Sequence, residues 1–240
     1  MMNFGYNNLI NLLQEKEIGS FSKQRKVGNV IELVSDNSIW PNGFYHLSQL
    51  QSSGEIDKFL VPESDLIFIL ESDVDKYNFK TMGFRPADVW YSMFLNLHSA
   101  KCINSSNKVH LRLVESADDL SVWKKHVERI FFNNFFIAND LISCLHKSNK
   151  FAFLNFFVAN EIVGSALLYL SGKDVGLYFF AIHENYRKNG FGFDALVCVC
   201  NFVVQKGGSK LMLQSTRQGK ELYIRSGFQI EERIHIYKRR

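Results

Sequence analysis

The 240-residue chain has only three prolines and four cysteines, and each scarcity excludes something. So little proline rules out a polyproline or mucin-like tract and predicts packed elements joined by short polar turns. The cysteines, Cys102, Cys144, Cys198 and Cys200, form neither a CxxC pair nor a cysteine/histidine set with zinc spacing. Free thiols in a reducing compartment, and no metal site, are the expectation. No apolar run approaches the length of a membrane span, and the opening MMNFGYNNLINLLQEKEIGS lacks the basic start and unbroken apolar core of a secretory signal. These absences predict a cytoplasmic protein without membrane contact. Positive charge is thin as well: 28 Lys and Arg are scattered among 24 Asp and Glu for a net charge of +4, and only Lys238 to Arg240 cluster. A nucleic-acid footprint needs a denser stripe, whereas a polyanionic small molecule suits this mild excess.

What the chain does have is apolar material for a core, 46% of residues, including 22 phenylalanines. A small polar stretch, His98 to Lys108, reads as a linker that separates residues 1–100 from residues 108–240. After it, VHLRLVES alternates like a half-buried strand, and Leu120, Trp123, Val127 and Ile130 recur at helical spacing behind Asp118 and Asp119. A second helical pattern spans Ile137 to Lys147. Three strand-like runs follow, FAFLNFFVAN, EIVGSALLYL and VGLYFFAIH, joined by turn residues at Asn160-Glu161 and Ser171 to Asp174. GFDALVCVCNFVVQKGG then reads as a buried helix ended by glycines, KLMLQST as a strand, QGKELYIRSG as a short helix stopped at Gly227, and FQIEER and IHIYKR as two final strands. The expected order is βααβββαβαββ, an α/β layer architecture.

Chemistry concentrates at ENYRKNGFG, Glu184 to Gly192. Two glycines at alternate positions between a strand and a helix can be a plain turn, or can let several N–H groups converge on a phosphate at the helix start. Arg187 and Lys188 would add positive charge. A P-loop is excluded because Gly219-Lys220 is followed by Glu221, and a dinucleotide GxGxxG is reduced to its alanine variant by Ala195.

AIHENYRKNGFG, Ala181 to Gly192, resembles the acyl-CoA-binding motif of the GNAT family of N-acetyltransferases, Arg/Gln-x-x-Gly-x-Gly/Ala after an apolar strand end. LYIRSGF, Leu222 to Phe228, is similar to the family's second recurrent piece, and the two lie in the family's order within residues 108–240. The resemblance implies a mixed, mostly antiparallel α/β (α+β) sheet flanked by helices. It implies that the third meander strand splays near Phe180, Ala181 and Ile182 to hold pantetheine, and that the amides of Lys188, Asn189, Gly190, Phe191, Gly192 and Phe193, with Arg187, hold the pyrophosphate. It further implies acetyl-CoA as acyl donor, an amine acceptor that attacks the thioester directly, and Tyr223 as the acid that protonates the departing thiolate. The strand carries no carboxylate between Asp174 and Glu184, so His183 and Glu184 are the remaining candidates for proton removal through water. Glu184, Thr216 and Gly219 stand where the family often has proline, asparagine and alanine. The resemblance leaves open a non-catalytic acyl-CoA-binding module and an aminoacyl transferase of the tandem kind that uses charged tRNA.

The first half carries a faint echo of the second. LIFILESDVDKYNFKTMGFRPADVWYSMFLNL aligns without gaps on KLMLQSTRQGKELYIRSGFQIEERIHIYKRR, laying Gly83-Phe84 on Gly227-Phe228 and Phe79 on Tyr223. Residues 1–100 are therefore expected to form a smaller, degenerate GNAT-like domain. Without the tyrosine hydroxyl or a second glycine after Arg25 to Gly28, it would be inactive. Its expected roles are to cover the second half's sheet edge and to wall the acceptor site with Trp40, Phe44, Tyr45, Trp90 and Tyr91.

Overall fold

The computed structural model describes residues 4–27, 30–35, 37–46, 65–98 and 108–240. One eleven-stranded sheet runs through both halves. The first half begins with helices α1 (Phe4–Leu13) and α2 (Lys16–Gly19). It continues with strands β1 (Lys23–Val27), β2 (Val30–Val34), β3 (Gly43–His46) and β4 (Leu66–Leu70), a 3₁₀ turn (Glu71–Lys76) and the long strand β5 (Phe84–Asn96). The second half runs β6 (His110–Leu113), α3 (Ala117–Phe132), α4 (Asn139–Lys147), β7 (Phe151–Val158), β8 (Glu161–Ser171) and β9 (Asp174–Ile182). A 3₁₀ turn (Glu184–Tyr186), α5 (Phe191–Gln205), β10 (Lys210–Ser215), α6 (Lys220–Arg225) and β11 (Gln229–Arg239) complete it.

Local chemistry accounts for the element ends. Ser116 caps α3 by accepting the Asp119 amide at 3.0 Å, and Asn133 closes the helix in the left-handed region. The β7–β8 turn puts Ala159 and Asn160 at positive φ, as a tight hairpin of this type requires.

The strand order is β1-β2-β3-β4-β11-β5-β10-β9-β8-β7-β6. All neighbours are antiparallel except β3 with β4 and β9 with β10. The two halves exchange strands. β5 lies between β10 and β11, and β11 in turn lies between β5 and β4. FQIEER and IHIYKR are therefore one continuous strand, not a pair. Its charges, which imitate a turn, are used by partners across the sheet. Glu231 accepts the amides of Phe4 and Gly5 at 2.8 and 2.7 Å and caps α1, while Arg233 reaches Glu71 at 3.0 Å. Bulges at Ile230/Glu232 and Ile236/Tyr237 absorb the irregularity. The expected linker falls mostly in residues 99–107, outside the described residues.

α1 to α4 cover one face of the sheet around Tyr6, Leu12, Trp123, Leu141 and Phe153, all buried. α5 and α6 cover the other, packing Leu196, Val199, Tyr223 and Phe228 on Leu211, Leu213 and Met93. Further along that second face a smaller cluster joins Ile67, Ile69, Phe79 and Phe84 to Tyr237. α1 sits close: a Cβ on Gly5 would lie 2.5 Å from Ser92 Oγ, and Gln214 Nε2 donates to the Gly5 carbonyl at 2.7 Å.

Candidate active site

The sheet opens at one place. β9 and β10 pair only from Lys210↔Asp174 to Met212↔Gly176, and both strands continue beyond that point without pairing to each other. The remaining stretch of β9, which includes Phe180, Ala181 and Ile182, leaves its edge facing the gap. A bulge against β8 between Ser165 and Leu167 accompanies the divergence, with Phe179 at φ 49°. Aromatic residues rarely occupy this region, and an outlier held by packing is characteristic of a site. Phe179 is clamped by Trp40 of the first half (5.3 Å between ring centroids) and by Phe131 and Phe132 (5.6 and 5.9 Å). Phe180 points to the opposite face, against Phe156 and Tyr223 at 5.5 and 6.2 Å.

After β9 the chain makes its 3₁₀ turn and enters α5 through Lys188 (φ 66°) and Gly190 (φ 82°). The amides of Phe193 and Asp194 return to the Gly190 carbonyl at 3.0 and 3.3 Å. Those of Phe191 and Gly192, at the first two helical positions, have no acceptor within the helix, and no side chain caps this end. Gly190 is explained by its backbone, and the space beyond it is open. Gly192 is not so explained. Its φ is ordinary for a side-chain-bearing residue, and a Cβ there would meet only Leu222 and Ile182 at 3.5 and 3.7 Å. Folding therefore does not ask for glycine at Gly192. Arg187 Nε donates to the Ile182 carbonyl at 3.0 Å, tying the loop to the strand end, and Asn189 Nδ2 reaches Tyr186 O at 3.4 Å.

Tyr223 on α6 is buried between Phe180 and Phe228. Burial alone pushes its hydroxyl pKa upward, so the group stays protonated, and the hydroxyl takes no hydrogen bond from the described residues. The loop before α6 separates it from a cavity of about 640 Å³, lined by β5 at 86–89, the loop at 216–218 and β11 at 235–237. Gly219 closes that loop, where a Cβ would lie 3.5 Å from the Tyr223 ring. Of the other first-half aromatics, Tyr45 is buried and stacked on Phe68, Trp90 packs on Phe68 with its indole N–H on Asp88, and Tyr91 lies under the Lys220 ammonium. The side chain of Phe44 lies outside the described residues.

The two candidates for proton removal differ sharply. Glu184 is largely exposed and paired with Arg129 on α3. His183 is buried, with its amide on Val163 O at 2.7 Å and its Nδ1 accepting from the Asn185 amide at 3.4 Å. Sequence reading missed the neighbour of His183. His126 on α3 stands 5.5 Å from it, ring to ring, with Nδ1 buried and without a hydrogen-bond partner among the described residues. Burial, then the His183 and Arg129 charges, hold the His126 pKa below its usual value. The only sequence signal was its place one turn after Trp123, on the flank of the buried helix face. Among the thiols, burial raises Cys198 and pushes Cys200 up to about 12, which disfavours a thiolate nucleophile at either.

No curated protein sequence matches the chain. Solved structures do, at the level of fold. A GCN5-related N-acetyltransferase from Kribbella flavida superposes with a TM-score of 0.73 at 12% identity, over 100% of this chain and 96% of that one. A GCN5-related N-acetyltransferase from Sphaerobacter thermophilus gives 0.66 at 14%, over 97% and 84%. A functionally unknown conserved protein from Staphylococcus epidermidis gives 0.62 at 15%, over 91% and 94%. The mostly antiparallel sheet flanked by helices is thus the fold of these acetyltransferases, first half included. Residues 112–228 match the model of the acetyltransferase (GNAT) family, and this part of the chain, with the opened sheet and the glycine loop inside it, belongs to that family.

Proposed function

We propose that the protein transfers an acyl group, acetyl in the simplest case, from acetyl-CoA to a primary amine by direct attack. The observation that carries the reading is the junction of three features. β9 parts from β10 at Gly176, the amides of Phe191 and Gly192 stand without a helical acceptor at the end of that opened strand, and Tyr223 packs against Phe180 with its hydroxyl free of hydrogen bonds among the described residues.

In this reading the free edge of β9 around Ala181 and Ile182 binds the amide groups of the pantetheine arm as an added strand would. The amides from Lys188 to Phe193 bind the pyrophosphate, helped by the positive end of α5. Tyr223 holds a proton in a dry setting and delivers it to the thiolate that leaves, a role worth about 10²–10⁴-fold in rate. His183 is the better placed of the two sequence candidates for the acceptor side, since Glu184 is engaged with Arg129 at the surface. Trp40, supplied by the first half, braces Phe179, so residues 1–100 support the acceptor side as an inactive half-domain.

Calorimetric titration with acetyl-CoA, followed by a panel of primary amines read by thiol release, tests the reading. Binding and amine-dependent thiol release are expected; no binding of any CoA ester would overturn it. Binding without turnover on any amine would favour a non-catalytic acyl-CoA module of the same fold.

A further inference from the structure

Among the described residues, three buried side-chain atoms without a hydrogen-bond partner occur in one layer, between α3 and the sheet: Asn155 Oδ1 on β7, Ser165 Oγ on β8 and His126 Nδ1 on α3. Asn155 and Ser165 are direct cross-strand partners, and the next residue in that row is Ala181 on β9. Strand alternation puts both on the face of Phe153 and Leu167, the face that α3 covers. Trp123, one helical turn before His126, anchors α3 there by donating its indole N–H to the Ala166 carbonyl at 2.9 Å. His183 completes the group.

A buried polar atom left dry is destabilising, and packing alone would have been met by apolar side chains at all three positions. Several such atoms in one layer, each short of a partner, are what enclosed water satisfies. The layer starts beside Ala181, whose strand edge borders the opened gap, and ends at the His126–His183 pair near the surface ion pair of Arg129 and Glu184.

We propose that this layer is a water-filled proton exit and that His126 is its proton acceptor during acyl transfer. The inference rests on the acetyl-transfer reading above. The amine nitrogen bonds to the thioester carbonyl carbon and the C–S bond breaks, with its electron pair leaving on sulfur. Tyr223 gives its hydroxyl proton to that sulfur. One nitrogen proton passes through the waters beside Ser165 and Asn155 to His126 Nδ1, and return of a proton from solvent to the Tyr223 phenolate, with loss of one from His126, closes the cycle. His183 cannot serve as directly, because its Nδ1 lone pair is already used by the Asn185 amide. The charged groups acting on His126 are His183 after β9 and Arg129 on its own helix, and Arg129 is paired in turn with Glu184; among the described residues the buried polar side chains of β7 and β8 are the neutral Asn155 and Ser165.

The test is the pH dependence of kcat/KM for an amine from the panel above that supports thiol release, in the full chain and in His126→Gln. The unchanged protein should lose activity only below the usual histidine range, and His126→Gln should lose about 10²-fold at neutral pH together with that acid limb. Acetyl-CoA affinity, measured by calorimetry, should stay within twofold in the variant. Imidazole NMR provides a reading that needs no turnover: the His126 resonance should titrate below 6.5, and should move up in His183→Gln. An unaltered acid limb in His126→Gln, with turnover intact, would overturn the proton exit and leave the transfer reading standing. Absence of turnover in the unchanged protein at every pH would instead remove the transfer reading itself.

Discussion

Trp90 and Ile234 face each other across β5 and β11, and the self-alignment that lays Gly83 on Gly227 also lays Trp90 on Ile234. The pairs on either side, Tyr91 with Arg233 and Val89 with His235, exchange places under the same alignment. The register of β5 with β11 is thus symmetric about Trp90 and Ile234. The same alignment lays β4 on β10, Phe79 on Tyr223, and the Phe79, Phe84 and Tyr237 cluster on Tyr223, Phe228 and Met93.

Gly192→Ala separates folding from donor binding. The residue lies in the first turn of α5 with room for a methyl group, so thermal stability should hold or rise, by about 0.5–1 kcal/mol at most. With the pyrophosphate held at the start of α5 as proposed, a methyl group in the first turn would crowd it, so acetyl-CoA affinity should fall about tenfold or more by calorimetry. Unchanged affinity would remove the pyrophosphate from this helix end.

Tyr223→Phe should leave stability within about 0.5 kcal/mol, because the hydroxyl has no hydrogen bond to lose among the described residues. Its kcat should fall about 10²-fold or more while acetyl-CoA binding is retained. A variant with full turnover would return Tyr223 to the status of a core aromatic.

Glu184→Gln breaks only an exposed ion pair with Arg129. Such pairs contribute about 0–1 kcal/mol, so urea midpoints should barely move. The rate at neutral pH should change by less than about threefold, far less than in His126→Gln.

Stability should depend on pH through His126. Its pKa is lowered in the fold by burial first, so between that value and 6.5 the unfolded chain binds more protons than the native one. Its contribution is therefore fully present above about pH 6.5 and is lost as pH falls through the folded value. Urea midpoints compared at pH 8 and pH 5 should drop more for the unchanged protein than for His126→Gln.

Residues 108–240 expressed alone should fail to give a cooperative unfolding transition. Without residues 1–98, β10 loses β5, α1 leaves the roof over β5, β9 and β10, and Tyr178 loses the Asn8 partner that its hydroxyl contacts at 2.6 Å. Adding residues 1–98 as a separate chain should restore the transition.

The second half was legible because its signals are local. Alternation marked β6, apolar runs bounded by turn residues marked β7 to β9, and glycines marked the start of α5 and the ends of α5 and α6. The final strand was misread because Glu231, Glu232 and Arg233 look like a turn until their partners are known, and those partners are the start of α1, Ser72 and Glu71. His126 was invisible for a related reason. A histidine on a helix flank has no meaning until His183, Asn155 and Ser165 are brought under it by strands far along the chain. The strand exchange left no trace in composition or period, since it is set by pairings between residues far apart in the chain.

The exchange also dictates an order of assembly. β4 is synthesised early, but its neighbour β11 comes from the far end of the second half, so on a growing chain β4 has an open edge for as long as that half is being made. β5 likewise waits for both β10 and β11. The first half cannot finish first and serve as a template; its last pairing and the closing of the whole sheet are one late, long-range event, of the kind that slows folding and calls for protection of exposed edges in the meantime.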